Sequence, residues 1–246
     1  MIKNYKITVS YDGTKYNGWQ RQGNTPNTLQ EKFEQVLLKM CGRKTEIFAS
    51  GRTDAGVHAL GQVANFKCET NKSAQEIMDY LNAYLPEDVA VTAIEEVSDR
   101  FHSRLNAKKK TYRYTIACNK YHVFGRKFMY RTEETLSVDA MRAAAEKLLG
   151  THDFIGFSSV KKPKKSTVRT LYTIEIFENN GLIEMFFTGS GFLHHMVRIL
   201  AGTLYEIGCG KLDAKVIDEV LTGGVRAQAG TTLPACGLML MEVLYE

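Results

Sequence analysis

Apolar and polar positions alternate through Tyr5-Lys6-Ile7-Thr8-Val9-Ser10, the period-2 pattern of a half-buried strand, and Asp12-Gly13 breaks it. Thr28-Leu29-Gln30-Glu31 then has the form of a capping box. The helix it opens puts Leu29, Phe33, Val36, Leu37 and Met40 on one face and is closed by Gly42. Thr45 to Ala49 and Gln62 to Lys67 read as strands on either side of a glycine-rich segment from Gly51 to Gly61. A second capping box, Ser73-Ala74-Gln75-Glu76, begins a helix that Pro86 stops, and Val89 to Val97 is a further strand.

The order then restarts. Thr111 to Ala117 sets Tyr112, Tyr114 and Ile116 on one strand face. Ser137 opens a helix with Met141, Ala144, Ala145, Leu148 and Leu149 inward and Gly150 at its end. Tyr172 to Glu178 and Leu182 to Thr188 form a hairpin across Asn179-Asn180-Gly181. A helix from Leu193 to Ile207, another after Asp213 and a strand from Leu238 to Leu244 complete the chain. Strand, helix, strands, helix, twice over, predicts an α+β fold of two similar lobes, each a mostly antiparallel sheet with packed helices. The junction is expected in the polar, basic stretch Ser98 to Lys110, giving an N-terminal lobe over 1–105 and a C-terminal lobe over 106–246.

Composition changes this picture little. The 246 residues are 44% hydrophobic and 24% charged, so a packed core is within reach and general disorder is excluded. A net charge of +5 permits a nucleic-acid partner without requiring one, and the clusters Lys108 to Lys110 and Lys161 to Lys165 would concentrate it. The five cysteines contain no C-x-x-C pair, which argues against a disulfide framework and a zinc site and for small buried hydrophobes in a reducing cytoplasm. No stretch approaches the ~20 apolar residues of a membrane span.

The most unusual local sequence is Gly51-Arg52-Thr53-Asp54-Ala55-Gly56-Val57-His58-Ala59. A carboxylate between glycines can approach a substrate closely, and an adjacent guanidinium favours the ionised form that a nucleophile or base needs. The same residues also suit a plain turn in which Asp54 bonds its own backbone. Three other chemistries fail on residue type. Asp12-Gly13-Thr14 has Ser10 where a phosphatase of the D-x-D-G-T pattern keeps its nucleophile. His194 and His195, read as helix neighbours, point ~100° apart and chelate one metal poorly. His152-Asp153 and Ser158-Ser159 lack the G-x-S-x-G elbow of a serine hydrolase.

The loop G-R-T-D-A-G-V-H-A resembles the signature of the TruA-type tRNA pseudouridine synthases, and other segments follow in that family's order. They are Tyr11-Asp12-Gly13-Thr14-Lys15-Tyr16 with Gly18-Trp19-Gln20-Arg21-Gln22, then Lys109 to Tyr114, then Gly191-Phe192-Leu193-His194-His195-Met196-Val197-Arg198, then Gly237 to Leu240. The likeness spans nearly the whole chain. It implies the pseudouridine synthase fold, with the C-terminal lobe completing a cleft around the loop of the N-terminal lobe. It also implies a cytoplasmic, homodimeric enzyme that uses no cofactor or metal and isomerises uridine in the tRNA anticodon stem-loop, at positions 38 to 40.

By the same resemblance Asp54 is the nucleophile, and Tyr112 stacks on the target base and helps move the carbon-5 proton. Arg198 pairs with the catalytic carboxylate, and Arg52 fills the space of a flipped-out uridine or holds the backbone. Arg21 is assigned to phosphate contact or stacking on single-stranded bases. Without the resemblance Tyr112 reads rather as a core tyrosine, since it shares one strand face with Tyr114 and Ile116, and Arg198, almost opposite the stripe Met196, Leu200, Leu204 and Ile207, would reach a cleft or water. The rival reading is a non-catalytic RNA-binding protein on the same scaffold, which would have no reason to keep Asp54, Tyr112 and Arg198 together.

Overall fold

The computed structural model describes residues 2–118 and 122–246. It divides into two compact units, the first comprising residues 1–108 with Leu240–Glu246, the second Lys109–Met239.

In the first unit β1 (Lys3–Tyr11) is followed by α1 (Leu29–Cys41), β2 (Ile47–Ala49), β3 (His58–Cys68), α2 (Ala74–Tyr84) and β4 (Val89–Val97). β1 is central because Tyr5, Ile7, Val9 and Tyr11 are all buried on the alternation that the sequence predicts. It pairs antiparallel with β3 on one edge and β4 on the other, Ile7 opposite Ala64 and Ile94. β2 pairs antiparallel with β3. The same register sets Tyr11, the last residue of β1, opposite Ala59 near the start of β3. The chain leaving β1 is therefore held beside the chain entering β3.

Both helices start where their caps predict. Ser73 and Glu76 form the full reciprocal box. Thr28 accepts the Glu31 amide, but the Glu31 carboxylate turns away and accepts from Gln35 instead, so the first box is only half made. Gly42 closes α1 at φ 68°, the left-handed conformation that favours glycine at this position. Leu29, Phe33, Val36 and Leu37 are buried as predicted, while Met40 is only partly so.

The second unit runs β5 (Lys109–Cys118), β6 (Tyr130–Thr132), α3 (Val138–Glu146), β7 (Gly150–Asp153), β8 (Val168–Asn179), β9 (Leu182–Gly189), α4 (Met196–Gly208) and α5 (Lys215–Gly223). The last strand, β10 (Leu238–Leu244), begins here and ends in the first unit. β5, β9, β8 and β7 pair antiparallel in that order, and β6 adds to β5 in parallel, which makes the sheet mixed. The β8–β9 hairpin turns at Asn180 (φ 51°) and Gly181 (φ 79°), the two positive φ values of the predicted tight turn. The β5–β9 register sets Tyr112 opposite Phe187 and Lys110 opposite Gly189. The segment leaving β9 toward α4 thus starts beside the front of β5.

Two expectations need correction. α4 begins at Met196 rather than Leu193, because His195 takes φ 61° and a right-handed helix cannot include it. The two histidines are therefore not helix neighbours: their rings lie over one another, centroids 3.7 Å apart. The cysteines are all unbridged, yet only Cys68 is fully buried. Among the described residues no helix is long and apolar enough to cross a membrane.

Candidate active site

Asp54 sits half-buried in the loop that joins β2 to β3, between buried Thr53 and exposed Ala55. The loop is anchored at its base and gripped along its length. At the base, the Ser50 hydroxyl donates to Gln62 Oε1 at 2.7 Å, and Gln62 Nε2 donates to the Gly51 carbonyl at 2.9 Å. Above Asp54, the Val57 amide donates to the Asp54 carbonyl at 3.2 Å, and Gly56 between them has φ 77°, which a type II turn demands of its third residue. The carboxylate therefore projects from a closed turn rather than from a free loop.

The grip comes from the chain just past β1. The Trp19 amide donates to the Thr53 carbonyl at 3.0 Å, and the Gly56 amide donates to the Tyr16 carbonyl at 3.3 Å. The Tyr11 hydroxyl and the Thr53 hydroxyl are 2.8 Å apart, and burial pushes the Tyr11 phenol up to about 12, so it stays protonated at neutral pH. Two glycines make this approach possible. A Cβ on Gly13 would lie 1.9 Å from the Val57 carbonyl oxygen, and one on Gly18, itself at φ 87°, would lie 2.7 Å from the Thr53 carbonyl oxygen. Trp19 is 1% exposed and stacks on Phe33 of α1, centroids 5.8 Å apart, so it fastens the grip to the core and offers no face to a nucleotide.

Arg52 is exposed beside the loop. Arg21 projects from the same segment onto α1, where Nη1 donates to Glu34 at 2.8 Å and Nε lies 3.9 Å from Glu31, with more than half its surface open to water.

The second unit carries Tyr112 and Arg198. Tyr112 is 8% exposed and meets Phe192 edge-on, centroids 5.2 Å apart, so the segment leaving β9 closes over it as the strand register requires. Arg198 is not on an open helix face. Its Nε donates to the Leu233 carbonyl at 2.7 Å, and the Leu233 amide donates back to the Arg198 carbonyl at 3.3 Å. Gly202, on the same side of α4, lies against Thr231, where a Cβ would be 1.8 Å from the carbonyl oxygen. The side that helical periodicity left open to a cleft or to water is covered by the chain from 229 to 233. The same chain is held from below, since the buried Tyr114 hydroxyl donates to the Pro234 carbonyl at 2.7 Å. The guanidinium is thereby fixed through Nε.

Reasoning from sequence missed one residue in this region. His58 is fully buried at the start of β3, and its Nδ1 accepts from the Gly13 amide at 3.0 Å. The signal was present, since His58 closes the signature loop and Gly13 lies in the N-terminal motif, but their contact follows only from the β1–β3 register. In the second unit the lysines from 161 to 165 are exposed, and Lys109 lies over the exposed Tyr172 ring, 5.0 Å from its centroid.

A family model described as tRNA pseudouridine synthase matches residues 7–106 and 144–246, which include Arg21, Arg52, Asp54 and Arg198. Similar proteins include a "tRNA pseudouridine synthase A 2" of Bacillus cereus, 47% identical over 246 residues, covering 99% of this chain and 100% of the relative. A "tRNA pseudouridine synthase A" of a Bacillus species is 49% identical over 245 residues, and a "tRNA pseudouridine synthase A 1" of Clostridium tetani is 44% identical over 245 residues. Both cover 99% of this chain and the whole of the relative.

Proposed function

The chain belongs to the tRNA pseudouridine synthase family, an isomerase family, and from that premise we propose that it converts uridine to pseudouridine in the anticodon stem-loop of tRNA, at positions 38 to 40, with Asp54 as the nucleophile. The observation that carries this reading is the held carboxylate: Asp54 stands on a closed turn, fixed from below and from one side by buried hydrogen bonds, with exposed Arg52 beside it. Preorganisation of this kind is what a group attacking a positioned substrate needs.

In the proposed reaction the carboxylate attaches covalently to the target nucleotide. The N1–C1′ bond breaks, the base turns, C5 bonds to C1′, and the bond to Asp54 is cleaved so that the carboxylate returns with its electron pair. The C5 proton then leaves, and N1 takes one up. Atoms and electrons balance within the nucleotide, so no redox partner or group donor is called for. A stacked uridine is out of reach of any side chain, so the base must first be flipped out at a cost of a few kcal/mol. Exposed Arg52 suits the role of taking its place or holding the backbone. By the resemblance of their motifs to the family's, Tyr112 is assigned to the target base and Arg198 to the charge of the carboxylate. Arg21 and the exposed lysines are assigned to the phosphate backbone.

The experiment is a pseudouridine map of tRNA from otherwise identical cells with and without this protein. Loss of pseudouridine confined to positions 38 to 40 is expected. Unchanged maps, or losses only elsewhere in RNA, would overturn the assignment.

We also propose a cytoplasmic homodimer, so that one tRNA is handled by two copies of a 27.7 kDa chain. Light scattering at micromolar concentration should report about twice that mass, and a value near a single chain would end the proposal.

A further inference from the structure

The geometry points to His58 as a positioning residue that latches the nucleophile loop to the segment gripping it. The inference rests on Asp54 being the nucleophile. His58 lies four residues beyond Asp54, at the point where the loop becomes β3, and its ring is completely buried. Nδ1 faces two groups of the turn that follows β1, the Gly13 amide at 3.0 Å and Asp12 Oδ1 at 3.2 Å. The Asp12 carboxylate is already engaged, since it accepts from both the amide and the hydroxyl of Thr14. The Gly13 amide donates to Nδ1, which fixes the ring as the neutral tautomer with its proton on Nε2.

The bond matters because of where Gly13 sits. Its α-carbon is pressed against the Val57 carbonyl, and the Val57 amide is what closes the turn carrying Asp54. His58, Gly13 and Val57 thus form a short circuit in which the His58 side chain holds the two segments together at the closest point of their approach. Two of the other ties, Trp19 to Thr53 and Gly56 to Tyr16, are backbone to backbone and would form with many sequences, and the Tyr11 and Thr53 hydroxyls add a third between side chains. The tie through His58 needs an acceptor at the Nδ1 position. Without one, a buried amide loses its partner and the turn must open to let it reach water. An opening of about 1 Å at a reacting group is enough to cost about 10²-fold in rate.

Two substitutions separate positioning from bulk. His58→Leu fills the space with apolar volume and removes the acceptor. His58→Asn gives up most of the ring but places Oδ1 the same two bonds from Cβ as Nδ1. Single-turnover release of tritium from carbon 5 of labelled uridine in tRNA is measured with saturating enzyme, beside tRNA affinity and a thermal melt. The expected result is a fall of about 10²-fold in rate for His58→Leu with affinity unchanged, and recovery of about tenfold of that loss in His58→Asn even if its melting temperature is the lower of the two.

A residue that only supports the fold would give rates that follow melting temperature, and that outcome would overturn the inference. So would a wild-type rate in His58→Leu, or a loss confined to affinity. Asp54→Asn is run in the same assay. If Asp54→Asn turns over normally the premise itself has failed, whereas an inert Asp54→Asn beside a fully active His58→Leu rejects the latch alone.

Discussion

Asp54→Asn should leave a protein that folds, binds tRNA and does not turn over. The substitution keeps the size of the side chain and removes its charge and its nucleophilic oxygen. Because a nucleophile has no substitute at the reacting centre, the loss is expected on the order of 10⁴-fold or more. The ties already described hold the loop through other atoms. The turn is closed by the Asp54 carbonyl and the Val57 amide, its flank is held through Thr53, and its base through Ser50 and Gln62. Asparagine also tolerates the turn geometries that aspartate does. Melting and tRNA affinity should therefore stay near wild type while tritium release from carbon 5 of uridine disappears. Release near the wild-type rate would remove Asp54 from the chemistry. Loss of activity together with a collapsed melt would mean that the side chain holds the loop.

Much of the fold was legible because its determinants are local. Ser73 with Glu76, Gly42 after α1, Asn180-Gly181 between β8 and β9 and the alternation of Tyr5, Ile7, Val9 and Tyr11 each act within a few residues, so each is written in a short window. The failures have tertiary causes. β6 and β7 are three and four residues long, too short to show a period, and exist only because β5 and β8 offer an edge. The start of α4 was missed because nothing in the sequence foretells that His195 adopts φ 61°. Helical periodicity gave Arg198 an open face, and the chain from 229 to 233, some thirty residues away, covers it.

The candidate site shows the same division. The Asp54 loop announces itself by composition and by resemblance, but its support does not. Asp12-Gly13 reads as the break after a strand, and Arg21, two residues past Trp19, as a contact to phosphate or to single-stranded bases. In the structure Gly13 and Gly18 are the points where two backbones touch, Trp19 is core, and Arg21 is paired with Glu34. Backbone contacts between segments some forty residues apart leave one trace in a sequence, a glycine where nothing larger fits. That trace cannot be told from a turn glycine until the strands are paired.

The difference between those two kinds of glycine gives the second large effect. Gly13→Ala should lower turnover about 10²-fold or more, whereas Gly42→Ala should leave it unchanged. At Gly42 an added methyl meets nothing within 4 Å, and the whole cost lies in φ 68°, about 1–2 kcal/mol of stability at the end of a helix. Gly13 is the reverse case. Its φ lies outside the left-handed region, so in open space alanine would stiffen the unfolded chain and stabilise the protein by about 0.4–1 kcal/mol. Space is what is missing: the Cβ would lie 1.9 Å from the Val57 oxygen and 2.6 Å from its carbon, both backbone atoms that no rotamer change can move. Real Cβ contacts fall no closer than 3.0 Å, so the two segments must separate by about 1 Å at the turn bearing Asp54, with overpacking strain of about 1–3 kcal/mol. The entropy gain is too small to offset that strain, and the separation falls where the nucleophile must be aimed. Single-turnover rates and melts of both variants decide the matter. A Gly13→Ala protein with the wild-type rate would show that the grip on the loop does not set the position of Asp54.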